Sequence, residues 1–242
     1  MSAFESMNCT HAGTLLQARV ARPANSDAAL PTVLVMHGGL GLDHRMNRPL
    51  QRLAEAGYLA IATDMYGVDT DISSGPAAGQ YFEALLKNPD HLRERTVAWF
   101  EAVAARPDVD ASRIAAIGYC FGGKCVLELA RSGADLKAVV SYHGLLQTHA
   151  PAQAGRINGE VAAYCAGHDP YVPSEHIEAF RKELQAAGTK HQITIFSEAQ
   201  HAFTDPDASL PISRPGVSYH PLADRISWAG TMALLDSTLQ RN

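Results

Sequence analysis

One cysteine lies in a glycine-rich turn, GYCFGG at 118–123. A mostly apolar segment, 113–117, precedes the turn, and a helical pattern, 124–131, follows it. A nucleophile in a G-x-nucleophile-x-G turn between a strand and a helix adopts a strained backbone conformation, and the flanking glycines leave room for it. The helix N-terminus also favours a thiolate over a neutral thiol. The pattern therefore predicts that Cys120 is a catalytic nucleophile, and the alternative is a glycine-rich turn around an inert cysteine.

Two later loops carry the acid and the base that a cysteine nucleophile requires. Asp169 and His201 each follow a strand-like segment, VAAYCA and ITIF respectively. The chain order of nucleophile, acid and histidine, each beyond the end of a strand, is typical of a catalytic triad on an open parallel sheet. We expect His201 to deprotonate Cys120 and Asp169 to orient His201. His168 is a competing base, although it precedes the acid in the chain.

The loop HGGLG at 37–41 is the candidate for the second half of an oxyanion hole. Glycines let the backbone approach a reacting carbonyl closely, so we expect the amides of Gly39 and Phe121 to bind the oxyanion, with Gly38 beside them. His37 is expected to brace the loop. A phosphate-binding loop is the alternative, but this run lacks the GKS/T ending and the GxGxxG spacing.

Short apolar runs alternate with longer helical patterns, which is typical of a parallel sheet wrapped by helices. Runs such as VLVM and KAVVSY are continuously apolar, which indicates strands buried on both faces. No internal repeat or long linker interrupts the chain, so we predict one α/β domain over 1–242, with a mostly parallel sheet of about seven or eight strands and helices on both faces. The predicted strands are 14–20, 32–36, 58–63, 113–118, 137–142, 160–166 and 191–196, and the predicted helices lie near 43–56, 76–87, 90–105, 121–132, 173–187 and 221–239.

Composition argues against several classes of function. The net charge is −5 and no run of basic residues occurs, so no nucleic-acid partner is expected. No apolar stretch approaches the roughly 20 residues of a membrane-spanning helix, and the N-terminus does not resemble a secretory signal. We therefore expect a cytoplasmic protein without a membrane partner, either a monomer or a homodimer, that binds a small-molecule substrate.

The cysteine and histidine patterns indicate reduced thiols and no bound metal. The four cysteines form no CxxC pair and are expected to be reduced thiols. The 11 histidines include no HExxH motif and no closely spaced Cys/His set, so neither a metal nor another cofactor is expected.

From about Pro31 onward the chain resembles the dienelactone hydrolase family, which implies the α/β-hydrolase fold. The resemblance rests on the segments HGGLGLD, DMYG, RIAAIGYCFGG, AGHDPYVP and QHAFTDP. It implies a triad of Cys120, Asp169 and His201, in agreement with their order and placement. In two places the chain departs from the family pattern: Gly38 replaces a glutamate that hydrogen-bonds the resting thiol, and Asp205 replaces an arginine that grips the substrate carboxylate. We therefore expect Asp205 to repel anionic lactones.

Side chains beside these motifs are the candidates for the substrate pocket. In addition to Gly38, they are Tyr66, Tyr119, His143 and Phe203. A structural role for His143 in its loop is the alternative. The leading function is hydrolysis of a small ester, lactone or thioester through a thioester acyl-enzyme. Acyl transfer on the same residues and a non-catalytic receptor that uses the same pocket are the alternatives. A glutamine amidotransferase is disfavoured because it places His and Glu two residues apart.

Overall fold

The computed structural model describes residues 4–24, 28–209 and 214–240, so the predicted domain 1–242 is described except in the gaps between and beyond these ranges. Its strands are β1 (Glu5–His11), β2 (Thr14–Ala21), β3 (Leu30–Met36), β4 (Leu59–Thr63), β5 (Val109–Tyr119), β6 (Ala138–Tyr142), β7 (Glu160–Ala166) and β8 (His191–Phe196). Its α-helices are α1 (Asn47–Glu55), α2 (Gly75–Lys87), α3 (Pro89–Ala104), α4 (Phe121–Ser132), α5 (Ser174–Ala186) and α6 (Pro221–Leu239).

All eight strands form one sheet in the order β1-β2-β4-β3-β5-β6-β7-β8. The strands β3 to β8 pair in parallel, whereas β2 runs antiparallel to both β1 and β4. The carboxyl ends of β3, β5 and β7 therefore lie at one edge of the sheet, where ligands bind in open parallel sheets.

The sheet is buried on both faces because its central strands carry apolar side chains at every position. In β3, Leu34 and Met36 join the core beneath α3, α4 and α5, while Val33 and Val35 join the core beneath α1 and α6. Alternation of side chains along a strand produces this division. The continuous apolar runs in the sequence follow from it.

The predicted strands and helices are confirmed to within a few residues, and the prediction of an α/β fold with helices on both faces is confirmed. The predicted helix near 43–56 divides into a short 3₁₀ turn, His44–Met46, followed directly by α1. Only β1 was missed. It is an edge strand in which Cys9 alone is buried, so its sequence ESMNCTH has no apolar run to reveal it.

Among the described helices, none combines the length and the apolarity that crossing a lipid bilayer requires.

Glycines make the junction between β5 and α4 possible. A Cβ on Gly118 would lie 2.0 Å from the carbonyl oxygen of Gly122, and one on Gly122 would lie 2.0 Å from that of Met36. Both contacts are with backbone atoms, which cannot move aside as a flexible side chain can. The turn that carries Cys120 therefore packs backbone against backbone.

This packing predicts a large loss of stability for Gly122→Ala. Overpacking of this kind costs about 3 kcal/mol or more in the free energy of unfolding, as urea denaturation would measure. Gly79→Ala is the matched control, because Gly79 lies inside α2 and a Cβ there meets nothing within 4 Å. Alanine should stabilise that helix by about 0.5–1 kcal/mol. Equal free energies of unfolding for the two variants would contradict the packing argument.

Candidate active site

Cys120 occupies the tight turn between β5 and α4. Its backbone lies in a strained region, with φ of 54° and ψ of −112°. Cys120 is one of four non-glycine residues with positive φ in the described chain. Its N–H donates to the carbonyl of Tyr142 at 2.9 Å, which fixes the turn against β6. The sulfur is thereby presented at the carboxyl edge of the sheet and at the N-terminus of α4, as the sequence predicts.

His201 and Asp169 meet at the same edge. Nδ1 of His201 lies 2.8 Å from a carboxylate oxygen of Asp169, and both residues are buried. The other carboxylate oxygen of Asp169 accepts from the amide of Tyr171 at 2.9 Å, which orients it. His168, the competing base, has an exposed side chain and is not the partner of this carboxylate.

Cys120 and His201 are joined by a side-chain hydrogen bond. Burial alone would raise the pKa of Cys120, but the positive charge of His201 and the hydrogen bonds that the thiolate accepts bring that pKa below its usual value. Burial alone would lower the pKa of His201, but the thiolate of Cys120 and the carboxylate of Asp169 raise it to about 10. Both shifts favour the form of the pair in which Cys120 is a thiolate and His201 an imidazolium ion.

Two backbone amides also donate to the sulfur of Cys120, those of Gly39 and Phe121. They come from the loop after β3 and from the first residue of α4. Two convergent N–H groups beside a nucleophile are the geometry of an oxyanion hole. The residues predicted for that role are thus brought together around Cys120.

Two side chains brace the loop that holds Gly39. Nδ1 of His37 donates to the carbonyl of Gly38 at 2.7 Å, while its Nε2 accepts from the amide of Met65 at 3.0 Å. The hydroxyl of Tyr66 donates to the carbonyl of Gly39 at 2.9 Å. His37 acts as predicted. Tyr66, predicted to line the pocket, is 4% exposed and holds the loop.

Gly38 leaves space in front of the nucleophile. A Cβ on Gly38 would lie 3.8 Å from the Cβ of Cys120, so a side chain at this position would be in contact with the nucleophile. Because glycine has no side chain, no carboxylate from this position competes with His201 for the thiol. Glycine at this position therefore leaves the sulfur of Cys120 without a carboxylate neighbour from residue 38.

Two other predicted pocket residues point elsewhere. The ring of Phe203 has no exposed surface and packs against His143, with ring centroids 5.2 Å apart, so it lies behind the site. The ring of Tyr119 stacks on Tyr142 at 4.7 Å, in the core beneath α1 and α6. These positions correct the expectation that both rings line the pocket.

His143 lies beside the base. Its ring centroid is 5.0 Å from that of His201, and its Nε2 lies 2.8 Å from the hydroxyl of Thr204. Burial, reinforced by the positive charge of His201, holds the pKa of His143 well below its usual value. His143 is 3% exposed and is therefore a neutral side chain packed against His201.

Asp205 does not behave as the sequence suggested. One carboxylate oxygen accepts from Nε of Arg45 at 3.0 Å, and the other accepts from the amide of Asp207 at 2.9 Å. An ion-paired carboxylate that caps its own loop repels an anionic substrate far less than a free one does. The argument that Asp205 excludes anionic lactones therefore loses its basis.

Sequence reasoning missed the apolar wall beside the oxyanion hole. A Cβ on Gly39 would lie 3.8 Å from the ring of Phe82 in α2, and one on Gly41 would lie 3.0 Å from Ile72. Leu40 is 38% exposed next to them. The sequence predicts a helix near 76–87, but it does not indicate which face of that helix meets the loop after β3.

Comparisons with known proteins identify the family of the chain. Residues 16–239 match the model of the dienelactone hydrolase family. A Salmonella typhi protein provisionally named a carboxymethylenebutenolidase is 31% identical over 233 residues, which cover 89% of this chain and 80% of the relative.

Two solved structures are similar over nearly the whole chain. A protein named m3DLH is 33% identical with a TM-score of 0.91, and 98% of each chain is covered. A dienelactone hydrolase-like promiscuous phosphotriesterase from metagenomic libraries is 31% identical with a TM-score of 0.90, again with 98% of each chain covered.

The ion pair predicts how Cys120 reacts with an alkylating agent. Because the pKa of Cys120 is lowered and that of His201 is raised, iodoacetamide should label Cys120 before the other cysteines, and labelling should remain fast at pH 6. Burial raises the pKa of Cys9, Cys125 and Cys165, so their thiols should react slowly. Mass spectrometry of partly labelled protein measures the order.

His201→Ala is the test of the cause. Without the imidazolium the pKa of Cys120 should rise, so its labelling rate at pH 6 should fall by at least about tenfold and recover only as the pH approaches the pKa of an ordinary thiol, about 8.5. His168→Ala should leave the rate unchanged. A first label on another cysteine, or an unchanged pH profile in His201→Ala, would contradict the ion pair.

Proposed function

The chain belongs to the dienelactone hydrolase family, and we propose that it cleaves a small neutral ester, lactone or thioester through a thioester acyl-enzyme on Cys120. The observation that carries this proposal is the direct hydrogen bond between Cys120 and His201, with two amide N–H groups on the same sulfur. A nucleophile, its base and an oxyanion hole are thus in contact before any substrate binds. A non-catalytic receptor has no need of this assembly.

The first half-reaction begins from the ion pair. The thiolate of Cys120 attacks the carbonyl carbon, and the electron pair of the C=O bond moves onto oxygen. The amides of Gly39 and Phe121, which donate to the sulfur at rest, then donate to the oxyanion as the negative charge moves from sulfur to oxygen. When the tetrahedral intermediate collapses, the leaving alkoxide or thiolate takes the proton from His201, and a thioester remains on Cys120.

The second half-reaction returns the enzyme to its starting state. Neutral His201 accepts a proton from water as the water oxygen attacks the thioester carbon. The second tetrahedral intermediate expels the thiolate of Cys120 and releases the acid product, and the proton retained on His201 restores the ion pair. Asp169 keeps Nδ1 protonated throughout, so that Nε2 is always the nitrogen that faces the reaction.

The surroundings of the oxyanion hole favour an uncharged acyl group. Phe82, Ile72 and Leu40 form an apolar wall beside Gly39 and Gly41. A carboxylate against these apolar side chains would lose water, and such desolvation is costly unless a cation pairs with it. One cation of the neighbouring loops, Arg45, is already paired with Asp43 and Asp205, whereas Arg214 lies near Leu40, since both would contact a Cβ on Gly75.

Alanine substitution should show which of the two histidines, His201 or His168, acts as the base. His201→Ala should lower kcat for a p-nitrophenyl ester by at least about a hundredfold, the usual scale for loss of a general base. His168→Ala, which removes an exposed side chain from the neighbouring loop, should change kcat less than about twofold. Steady-state kinetics at pH 7.5 measure both. Equal losses in the two variants would contradict the assignment of the base.

Phe82→Ala should alter the choice of acyl group and leave the chemistry intact. Removing the ring takes away apolar contact worth about 1–3 kcal/mol, so kcat/KM for a phenylacetyl or hexanoyl ester should fall about tenfold or more relative to the acetyl ester. The labelling rate of Cys120 by iodoacetamide is the internal control and should stay unchanged. A parallel loss for all acyl groups would mean that Phe82 does not contact the substrate.

The charge of the acyl group provides an independent measurement. The wild-type enzyme should prefer a neutral butyrate ester to the matched hemisuccinate ester, whose free carboxylate would meet the same wall. Adding methanol distinguishes hydrolysis from acyl transfer, because transfer to methanol gives a methyl ester whereas hydrolysis gives the free acid. A preference for the hemisuccinate would contradict the neutral substrate class and would leave the role of Cys120 intact.

A further inference from the structure

A second cluster of reactive side chains lies far from Cys120 in the sequence, where the edge strand β1 meets α3. His11 is the last residue of β1, and His91 and Glu94 lie in the first turns of α3 with a spacing of three, which places them on one helix face. One potential ligand atom from each of the three lies within 4.8 Å of the others. The rings of His11 and His91 have centroids 4.9 Å apart.

Two of these side chains have atoms that make no hydrogen bond or ion pair with other described residues. Nδ1 of His11 is buried and has no hydrogen-bond partner among the described residues, which is unusual for a buried ring nitrogen. Glu94 is exposed and forms no ion pair within the described ranges. An imidazole nitrogen without a partner and an exposed carboxylate are both groups that can ligate a metal ion.

The surface beside the cluster is open and acidic. A depression of about 490 Å³ adjoins it, lined in part by His11, Asp90, Glu94 and Glu101. It provides a path from solvent and room for water ligands. Of the three carboxylates at its rim, Asp90 is paired with His149, and Arg93, which also lines the depression, is paired with Glu128.

We propose that His11, His91 and Glu94 form a binding site for a divalent transition metal of the Zn²⁺ class, separate from the hydrolase centre. Two imidazole nitrogens, one carboxylate oxygen and water make a tetrahedral set that Zn²⁺ accepts. Such a set places ligand atoms about 3.4 Å apart, and the exposed side chain of Glu94 can move in to reach that spacing. The sequence alone concealed the site, because His11 and His91 are brought together only by the packing of α3 on β1.

Arg95 limits the strength of this site. Its Nη2 lies 2.9 Å from Nε2 of His91, so a metal on that nitrogen must displace a hydrogen bond and accept a nearby positive charge. If a metal displaces that hydrogen bond, Arg95 keeps the one that its Nη1 donates to the carbonyl of Met65 at 2.7 Å. Binding is therefore weaker than at a structural zinc site with four protein ligands, and it is reversible.

A metal ion bound at this site would link β1 to α3. β1 pairs only with β2, and it lies at the edge of the described sheet. A metal shared between β1 and α3 binds the folded chain and not the unfolded one, so it should raise the melting temperature as the metal concentration rises.

The test is titration of untagged Cys120→Ser protein with ZnCl₂ in a calorimeter. The serine removes the active-site thiolate, which would otherwise bind zinc, and the readout does not depend on turnover. One ion should bind per chain with a dissociation constant of about 10 μM. His11→Gln and Glu94→Gln in the same background should each weaken binding about tenfold or more and should reduce the rise in melting temperature at a given zinc concentration.

His44→Gln is the matched control, because His44 is an exposed histidine whose partner is Asp207 on another loop. It should leave binding unchanged. Glu94→Gln alters an exposed position, so it remains informative if His11→Gln impairs folding. Undiminished binding in Glu94→Gln, or no saturable binding up to about 1 mM Zn²⁺, would overturn the proposal. Neither result bears on Cys120, whose function is measured separately with the wild-type chain.

Discussion

The geometry of this site depends on one strained residue. Cys120 has a φ of 54°, and it is held there because Gly118, Gly122 and Met36 pack backbone against backbone beneath it. Such strain persists only where the surrounding structure over-determines it. The same turn sets the direction of the sulfur and the position of the Phe121 amide, so the proposed nucleophile and half of the proposed oxyanion hole are fixed together.

The charge state of the site follows from this placement. An isolated buried thiolate or imidazolium would be strongly disfavoured by loss of hydration. Here each ion compensates the other, and the remaining hydrogen-bonding positions are filled by Asp169 and by the amides of Gly39 and Phe121. Gly38 contributes by its lack of a side chain, since a carboxylate at that position would be a second partner for the thiol. The ion pair is therefore a property of the whole edge of the sheet.

The sequence revealed those features that depend on local pattern or on chain order. Central strands were visible as apolar runs, and Cys120, Asp169 and His201 were visible from their order beyond strand ends. Features that depend on which surfaces meet were hidden. Phe203 and Tyr119 were assigned to the pocket because they adjoin reactive residues, yet their rings point into the core. The pairing of Asp205 with Arg45, 160 positions earlier, could not be read from either segment alone.

The chemistry and the choice of substrate rest on different parts of the molecule. In the proposed mechanism, backbone groups and buried side chains at the ends of β3, β5 and β7 carry the reaction, and these groups are also part of the packing of the sheet. Phe82 and Ile72, in contrast, are half-buried side chains outside the sheet, beside Gly39 and Gly41, and the ring of Phe82 packs edge-to-face on that of Phe121 with centroids 5.3 Å apart. A substitution in this wall can therefore reshape the acyl pocket while the thiolate, the base and the two amides keep their positions. Since a change of one methylene in an apolar pocket is worth about 1–3 kcal/mol in discrimination, a few such substitutions suffice to change the preferred substrate without rebuilding the catalytic machinery.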